Sequence, residues 1–268
     1  MALKKPKPFM TVEEARAAGF EFTDPEREKC EFCGKELEPL GVESGSGLIF
    51  WISRTQCDCE GSKAYEEELK REQEKKAERE LRDRFIRAGV KKRFLEAKVD
   101  RPQLANYLNS FNSDPSIGLY ITGPSRAGKS HSASALAKAF VASGYSTVLT
   151  TSIAMLDDVK ASFDGDARSG VSRFASCDVL IIDDLGKENA NSWVMTTLFQ
   201  IINDRYESMR PTIVTTQYSL EELRRRMSRA GEKESAIAIT ERLRETCRLM
   251  TLPRRTNVDL MKPDRSEP

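Results

Sequence analysis

At roughly 150 residues per domain, a chain of 268 residues suggests one large domain and a small one. Apolar residues make up 39%, enough for a sizeable core, which excludes a disordered chain. Charged residues reach 32% yet balance to a net charge of +1, which excludes binding of polyanions by bulk charge and moves any basic function to local patches. No apolar run approaches the roughly 18 residues of a transmembrane helix. The basic start, Met1 to Pro8, lacks the apolar run of a signal peptide. A cytoplasmic protein without a membrane partner is the expectation, its cysteines serving as reduced thiols or metal ligands. The single histidine, His131, rules out a His-rich metal centre and argues against a Ser-His-Asp site.

In chain order, residues 1–29 read as a polar tail or short helix. The next thirty hold Cys30, Cys33, Cys57 and Cys59, a C-x2-C pair followed by a C-x-C pair. Cytosolic thiols at this spacing can close a tetrahedral zinc site, with an iron–sulfur cluster or free thiols as alternatives. Four thiolates leave no open position, so such a metal is structural, and it would stabilise a module whose core is too small to fold alone. Residues 48–52, between the pairs, read as a strand. Residues 62–88 are almost pure helix former, with acid-first i,i+4 pairs such as Glu66–Lys70 and Glu78–Arg82. A solvated connecting helix is the simpler reading, and a partner-docking helix the sharper one. The resulting division is 1–61 with the zinc module, 62–90 the connecting helix, 91–252 the large core and 253–268 a tail.

From residue 117 short β-rich runs alternate with amphipathic segments. The expected strands are 117–122, 146–150, 178–183, 211–216 and 247–252, and the expected helices 132–141, 152–162, 192–208, 220–228 and 235–245. Such alternation implies an α/β fold, a parallel five-stranded sheet covered on both faces. Between the first strand and its helix, Gly123, Pro124, Ser125, Arg126, Ala127, Gly128, Lys129 and Ser130 fit the phosphate-binding loop G-x-x-x-x-G-K-[ST]. The loop's N–H groups and the helix N-terminus face the phosphates of ATP. Lys129 would neutralise the β- and γ-phosphates, and the Ser130 hydroxyl would ligate Mg2+. His131, in the first helical turn beside the nucleotide, reads as packing or capping rather than as a proton shuttle. The run 178–183 delivers Asp183 and Asp184 at its C-terminal end, where ligands bind in open α/β sheets. Asp183 would hold the Mg2+ through water, and Asp184 would orient or deprotonate the attacking water. Cys177 and Cys247 read as buried core thiols.

The phosphate loop followed by His131, the run Ile181 to Gly186, the run Thr212 to Leu220 and the run Ile239 to Glu245 together resemble the DnaC/DnaI/IstB branch of the AAA+ ATPases. That branch comprises helicase loaders and transposition helper ATPases, and the resemblance covers roughly residues 90–252. It implies a P-loop AAA+ core in which Gln217 is sensor 1, reading the γ-phosphate and the attacking water. It also implies that Arg242 is the arginine finger, completing a neighbour's site, with Arg244 as its nearest rival. A finger acting in trans implies self-assembly into a ring or spiral with ATP. By the same resemblance, the amino-terminal zinc module docks on the partner.

Several positions depart from the family pattern. Arg126 replaces a loop glycine, Asp184 is one methylene shorter than the usual Glu, and Gln217 is longer than the usual Asn. The residues after Leu252 are too few for a full helical lid, so a truncated or absent lid is expected. Slow, assembly-dependent hydrolysis follows. The leading expectation is an ATPase that loads a DnaB-type replicative helicase onto single-stranded DNA. Candidate DNA contacts are Lys91, Lys92, Arg93, Lys160 and Arg168. The alternatives are a transposition helper that binds duplex DNA and a transposase, a nucleotide-gated adaptor with little hydrolysis, and, against the pattern, a small-molecule P-loop kinase.

Overall fold

The structure, a computed structural model, describes residues 9–44, 47–162, 167–229 and 232–254, with the side chains of 167–169 excepted. The chain divides into two compact units, 1–79 and 80–268, the division falling inside a long helix.

The smaller unit contains β1 (Met10–Thr11), α1 (Val12–Ala17), β2 (Pro39–Glu43), β3 (Ile49–Arg54) and the start of α2 (Glu60–Arg87). Thr11 and Glu14 form a reciprocal capping box that starts α1, satisfying two otherwise orphaned N–H groups. The three strands pair antiparallel in the order β1-β2-β3. Gly41 lies opposite Trp51, and any side chain there would press within 2.9 Å of the indole. Phe22 meets Trp51 edge-on at 5.1 Å. Helix α2 begins two residues earlier and ends three residues earlier than the sequence suggests, if the connecting segment 62–90 is taken as its span, and none of its residues is buried.

The larger unit adds a 3-10 turn (Lys92–Phe94) and α3 (Pro102–Phe111), neither of which the sequence reading assigned. There follow β4 (Gly118–Thr122), α4 (Lys129–Ala142), β5 (Thr147–Thr151), α5 (Ser152–Ala161), α6 (Ala167–Ser176) and β6 (Val179–Asp183). The chain continues with α7 (Ser192–Glu207), β7 (Thr212–Thr215), α8 (Leu220–Ser228), α9 (Lys233–Thr246) and β8 (Cys247–Thr251). All five strands are parallel in the order β5-β6-β7-β4-β8. Because side chains alternate along a strand, Leu180 and Ile182 enter one apolar layer and Val179 and Ile181 the other. Both faces are therefore covered, and the loops at the C-terminal ends of the strands are left for chemistry.

One buried charge braces the opposite end of the sheet, where β6 and β7 begin. Arg205, in the last turn of α7, has no solvent exposure. Its guanidinium donates to the carbonyls of Phe174 (2.9 Å), Cys177 (2.8 Å), Asp178 (3.1 Å) and Pro211 (2.6 Å), and to Thr212 Oγ1 (3.1 Å). Burial pulls its pKa down, and this crown of acceptors offsets the lost hydration. It ties the chain entering β6 to the chain entering β7.

Candidate functional site

The site forms where β4 and β6 end. The phosphate loop leaves β4 after Thr122 and enters α4 through Gly128, which caps the helix at φ +89°, a conformation that favours glycine. Arg126, exposed, stands at φ +65°, so the residue replacing the family's glycine occupies the left-handed region. Lys129 is buried and donates from Nζ to the carbonyls of Gly123 (2.8 Å) and Pro124 (2.9 Å). Burial lowers its pKa, and the charge of Asp184 opposes that shift. Pro124 and Ser125 are exposed, Gly123 and Ala127 buried, and His131 half-buried in the first turn of α4.

Asp183 ends β6. Burial pushes its carboxyl up, and the Thr215 hydroxyl, which donates to it, and the nearby Ser130 hydroxyl hold it down. The Ser130 hydroxyl and the Asp183 carboxylate line the same cavity, an oxygen pair suited to a hard divalent cation. Its positive charge would also relieve the carboxylate's desolvation. Asp184, next in the chain, sits at φ +62°, which aspartate tolerates better than most residues. Its carboxylate accepts from Lys187 Nζ at 2.8 Å, and its N–H donates to Thr215 Oγ1 at 3.1 Å.

Thr215 therefore touches both acids, a role the sequence reading did not assign. Thr216 adds a bond from its hydroxyl to the Leu185 carbonyl at 2.6 Å, locking the end of β7 to the turn after β6. Gln217 is exposed, and its amide donates to the Tyr218 hydroxyl at 3.0 Å rather than to either acid. Arg242, on α9, lies with its guanidinium 4.8 Å from the Phe199 ring centre and 5.4 Å from that of Tyr206, a cation–π contact with α7. Arg244 is exposed and faces Glu221 at 4.0 Å. Thus the loop, Lys129, Ser130, Asp183 and Asp184 converge, whereas Gln217 and Arg242 are held by aromatic neighbours within this chain. Of the basic candidates, Lys91, Lys92, Arg93 and Lys160 are exposed, and the Arg168 side chain lies outside the described residues.

A second centre lies in the smaller unit. The sulfur atoms of Cys30, Cys33, Cys57 and Cys59 lie within 4.8 Å of one another. Cys30 and Cys59 are 3.8 Å apart and Cys33 and Cys57 3.4 Å, and all four are free thiols. Tetrahedral zinc–thiolate bonds of about 2.3 Å place sulfurs about 3.8 Å apart, so the cluster fits that ion. The first pair rides a tight turn in which Gly34 N–H donates to the Cys30 carbonyl at 2.8 Å. Cys59 directly precedes α2, and the Ser62 N–H points at its sulfur at 3.4 Å. The N–H groups of Phe32 and Cys33 bring Cys30 down to about 7. At Cys57 the Cys59 N–H also favours the thiolate, but the Cys33 thiol and burial push it up to about 12. Cys177 and Cys247 are buried apart from this cluster.

Residues 66–256 match the family described as IstB-like ATP binding protein. The replicative helicase loader DnaI of Bacillus subtilis is 23% identical over 224 residues, which cover 78% of this chain and 71% of that protein. Among solved structures, DnaI aligns with a TM-score of 0.52 at 20% identity, covering 59% of this chain and 88% of that one. The DnaC helicase loader aligns with a TM-score of 0.51 at 25% identity, covering 60% and 99% respectively. No described helix is long and apolar enough to cross a membrane.

Proposed function

The chain belongs to the IstB-like ATP-binding family, within the DnaC/DnaI/IstB branch of the AAA+ ATPases, and from that membership we propose that it hydrolyses ATP to load a DnaB-type replicative helicase onto single-stranded DNA. The observation that carries this reading is the likeness to the loader DnaI, which spans more of the chain than the ATP-binding unit contains. The convergence of Lys129, Ser130, Asp183 and Asp184 supports the chemistry. Lys129 exchanges the two loop carbonyls for phosphate oxygens, and Ser130 with Asp183 holds the magnesium ion, which supplies charge neutralisation when bound. Asp184 accepts a proton from, or orients, the attacking water once Lys187 moves aside. Gln217 would read the γ-phosphate, and Arg242 would leave its aromatic shelf to complete a neighbouring subunit's site, so turnover follows assembly. The four-cysteine module binds zinc and, with α2, carries the helicase contact in a cytoplasmic protein.

The test is a loading assay with a purified DnaB-type helicase and circular single-stranded DNA. Loading should require ATP, disappear with Lys129→Ala and fall by about 10³-fold or more with Arg242→Ala. Specific binding of a transposase and duplex DNA, with no helicase contact, would replace this reading with the transposition one. One observation favours a second reading, an adaptor gated by nucleotide with little hydrolysis: the shortened acid Asp184 is already paired with Lys187. Turnover near zero even with helicase and DNA present would select it.

A further inference from the structure

Beside the phosphate loop lies a cavity of about 330 Å³, lined on one side by Ser130, Asp183 and Asp184 and on the other by Lys91 and Phe94. The second wall belongs to the segment that follows α2. This segment is fixed at several points along the outer edge of the sheet and the phosphate-loop helix. Leu149 N–H on the edge strand β5 donates to the Ala88 carbonyl at 2.6 Å. Gly89, at φ +99°, packs so closely on the Leu149 carbonyl that a side chain would collide with it. Val90 and Leu95, on either side of Lys91, are 2% and 5% exposed. From α4, Lys138 Nζ donates to the Leu95 carbonyl and, at 3.0 Å, to that of Ala97. Arg101 Nη2 donates to the Ala127 carbonyl within the phosphate loop itself at 3.0 Å.

The backbone of Lys91 is therefore held in place where the residue lines the cavity together with Ser130 and Asp183, and its charge favours the ionised form of Asp183. Lys92 and Arg93 do not line that space. A triphosphate brings more negative charge than Lys129 and one divalent cation neutralise. The uncompensated charge falls on the terminal phosphate, and Lys91 faces the Ser130–Asp183 end of the site where that phosphate is expected.

We infer that Lys91 is a nucleotide-binding residue that contacts the terminal phosphate of ATP, so that the segment joining α2 to the catalytic unit registers the presence of that phosphate. The inference rests on the ATP-binding reading above and assigns Lys91 to nucleotide rather than to DNA.

Binding of ADP and of a non-hydrolysable ATP analogue, both with Mg2+, to the full-length protein tests it. Lys91→Met should weaken the ATP analogue by about tenfold, the loss of one charge-assisted contact, and change ADP affinity by less than about twofold. Lys91→Arg should restore most of the difference, and Lys92→Met should leave both affinities unchanged. In the wild type, the analogue but not ADP should slow amide exchange over residues 88–97, a readout that needs no variant. Equal weakening of both nucleotides, or no change in either, overturns the assignment, and unchanged nucleotide binding with a fall in single-stranded DNA affinity makes Lys91 a DNA contact. Failure of the underlying reading looks different, because the wild type would then bind neither nucleotide.

Discussion

Residues 80–254 bury Leu180, Ile181 and Ile182 completely between two apolar layers. The unit that ends at Arg79 instead gathers Cys30, Leu37 and Cys57 into its buried cluster and leaves Phe50 and Ile52 more than half exposed. The larger unit has enough area to be stable by burial, with a charge such as Arg205 serving as a brace. In the smaller one a three-stranded sheet and a turn cannot bury enough to offset chain entropy, so four thiols converge where a core would otherwise be. The lesson is that one chain holds two stability regimes, and each should respond to a different insult.

The largest effect should come from removing the zinc proposed for the four-cysteine module. Structural zinc sites contribute about 10–16 kcal/mol of apparent binding free energy, so chelation or Cys57→Ser should release zinc and unfold residues 10–60. Proteolysis and metal analysis would follow the smaller unit while calorimetry follows the core, whose transition should stay in place. A core that melted with the metal would break the comparison. The converse insult is Arg205→Met, which leaves several buried carbonyls without donors and should cost about 3–5 kcal/mol. Denaturant unfolding should show that loss in the larger unit with zinc content unchanged. A loss below about 0.5 kcal/mol, the size of an ordinary surface substitution, would mean the crown of carbonyls is not a brace. Smallest is Arg126→Gly, which relieves a left-handed non-glycine residue and should stabilise the core by about 1 kcal/mol, read as a rise in melting temperature. No rise would show that the exposed side chain compensates for its backbone.

Much of the fold was legible. The five core strands fall within a residue or so of the periodic runs, because a strand buried on both faces must be short, apolar and bounded by turn residues. The phosphate loop and the Asp183–Asp184 pair could be read for the same reason, as local motifs placed at strand ends. The missed elements have their own reasons. Helix α6, with Gly170 and several serines, carries little helical propensity, and β2 contains Pro39 and Gly41, which argue against a strand. Helix α3 does carry Leu104, Tyr107, Leu108 and Phe111 at helical spacing behind Pro102, a signal present but not taken up. Arg205 gave no signal, since an arginine near a helix C-terminus ordinarily faces solvent.

The amino-acid order by itself determined the periodicities, the loop that turns into a helix and the clustering of cysteines in pairs. Each depends on neighbours a few residues apart. Only the tertiary structure decided that Thr215 bonds Asp183, that Arg242 rests against Phe199 and Tyr206, and that Lys91 lines one cavity with Ser130 and Asp183. Those relations join residues brought together by parallel crossovers. Charge compensation in a partly buried site depends on distance and desolvation rather than on sequence spacing.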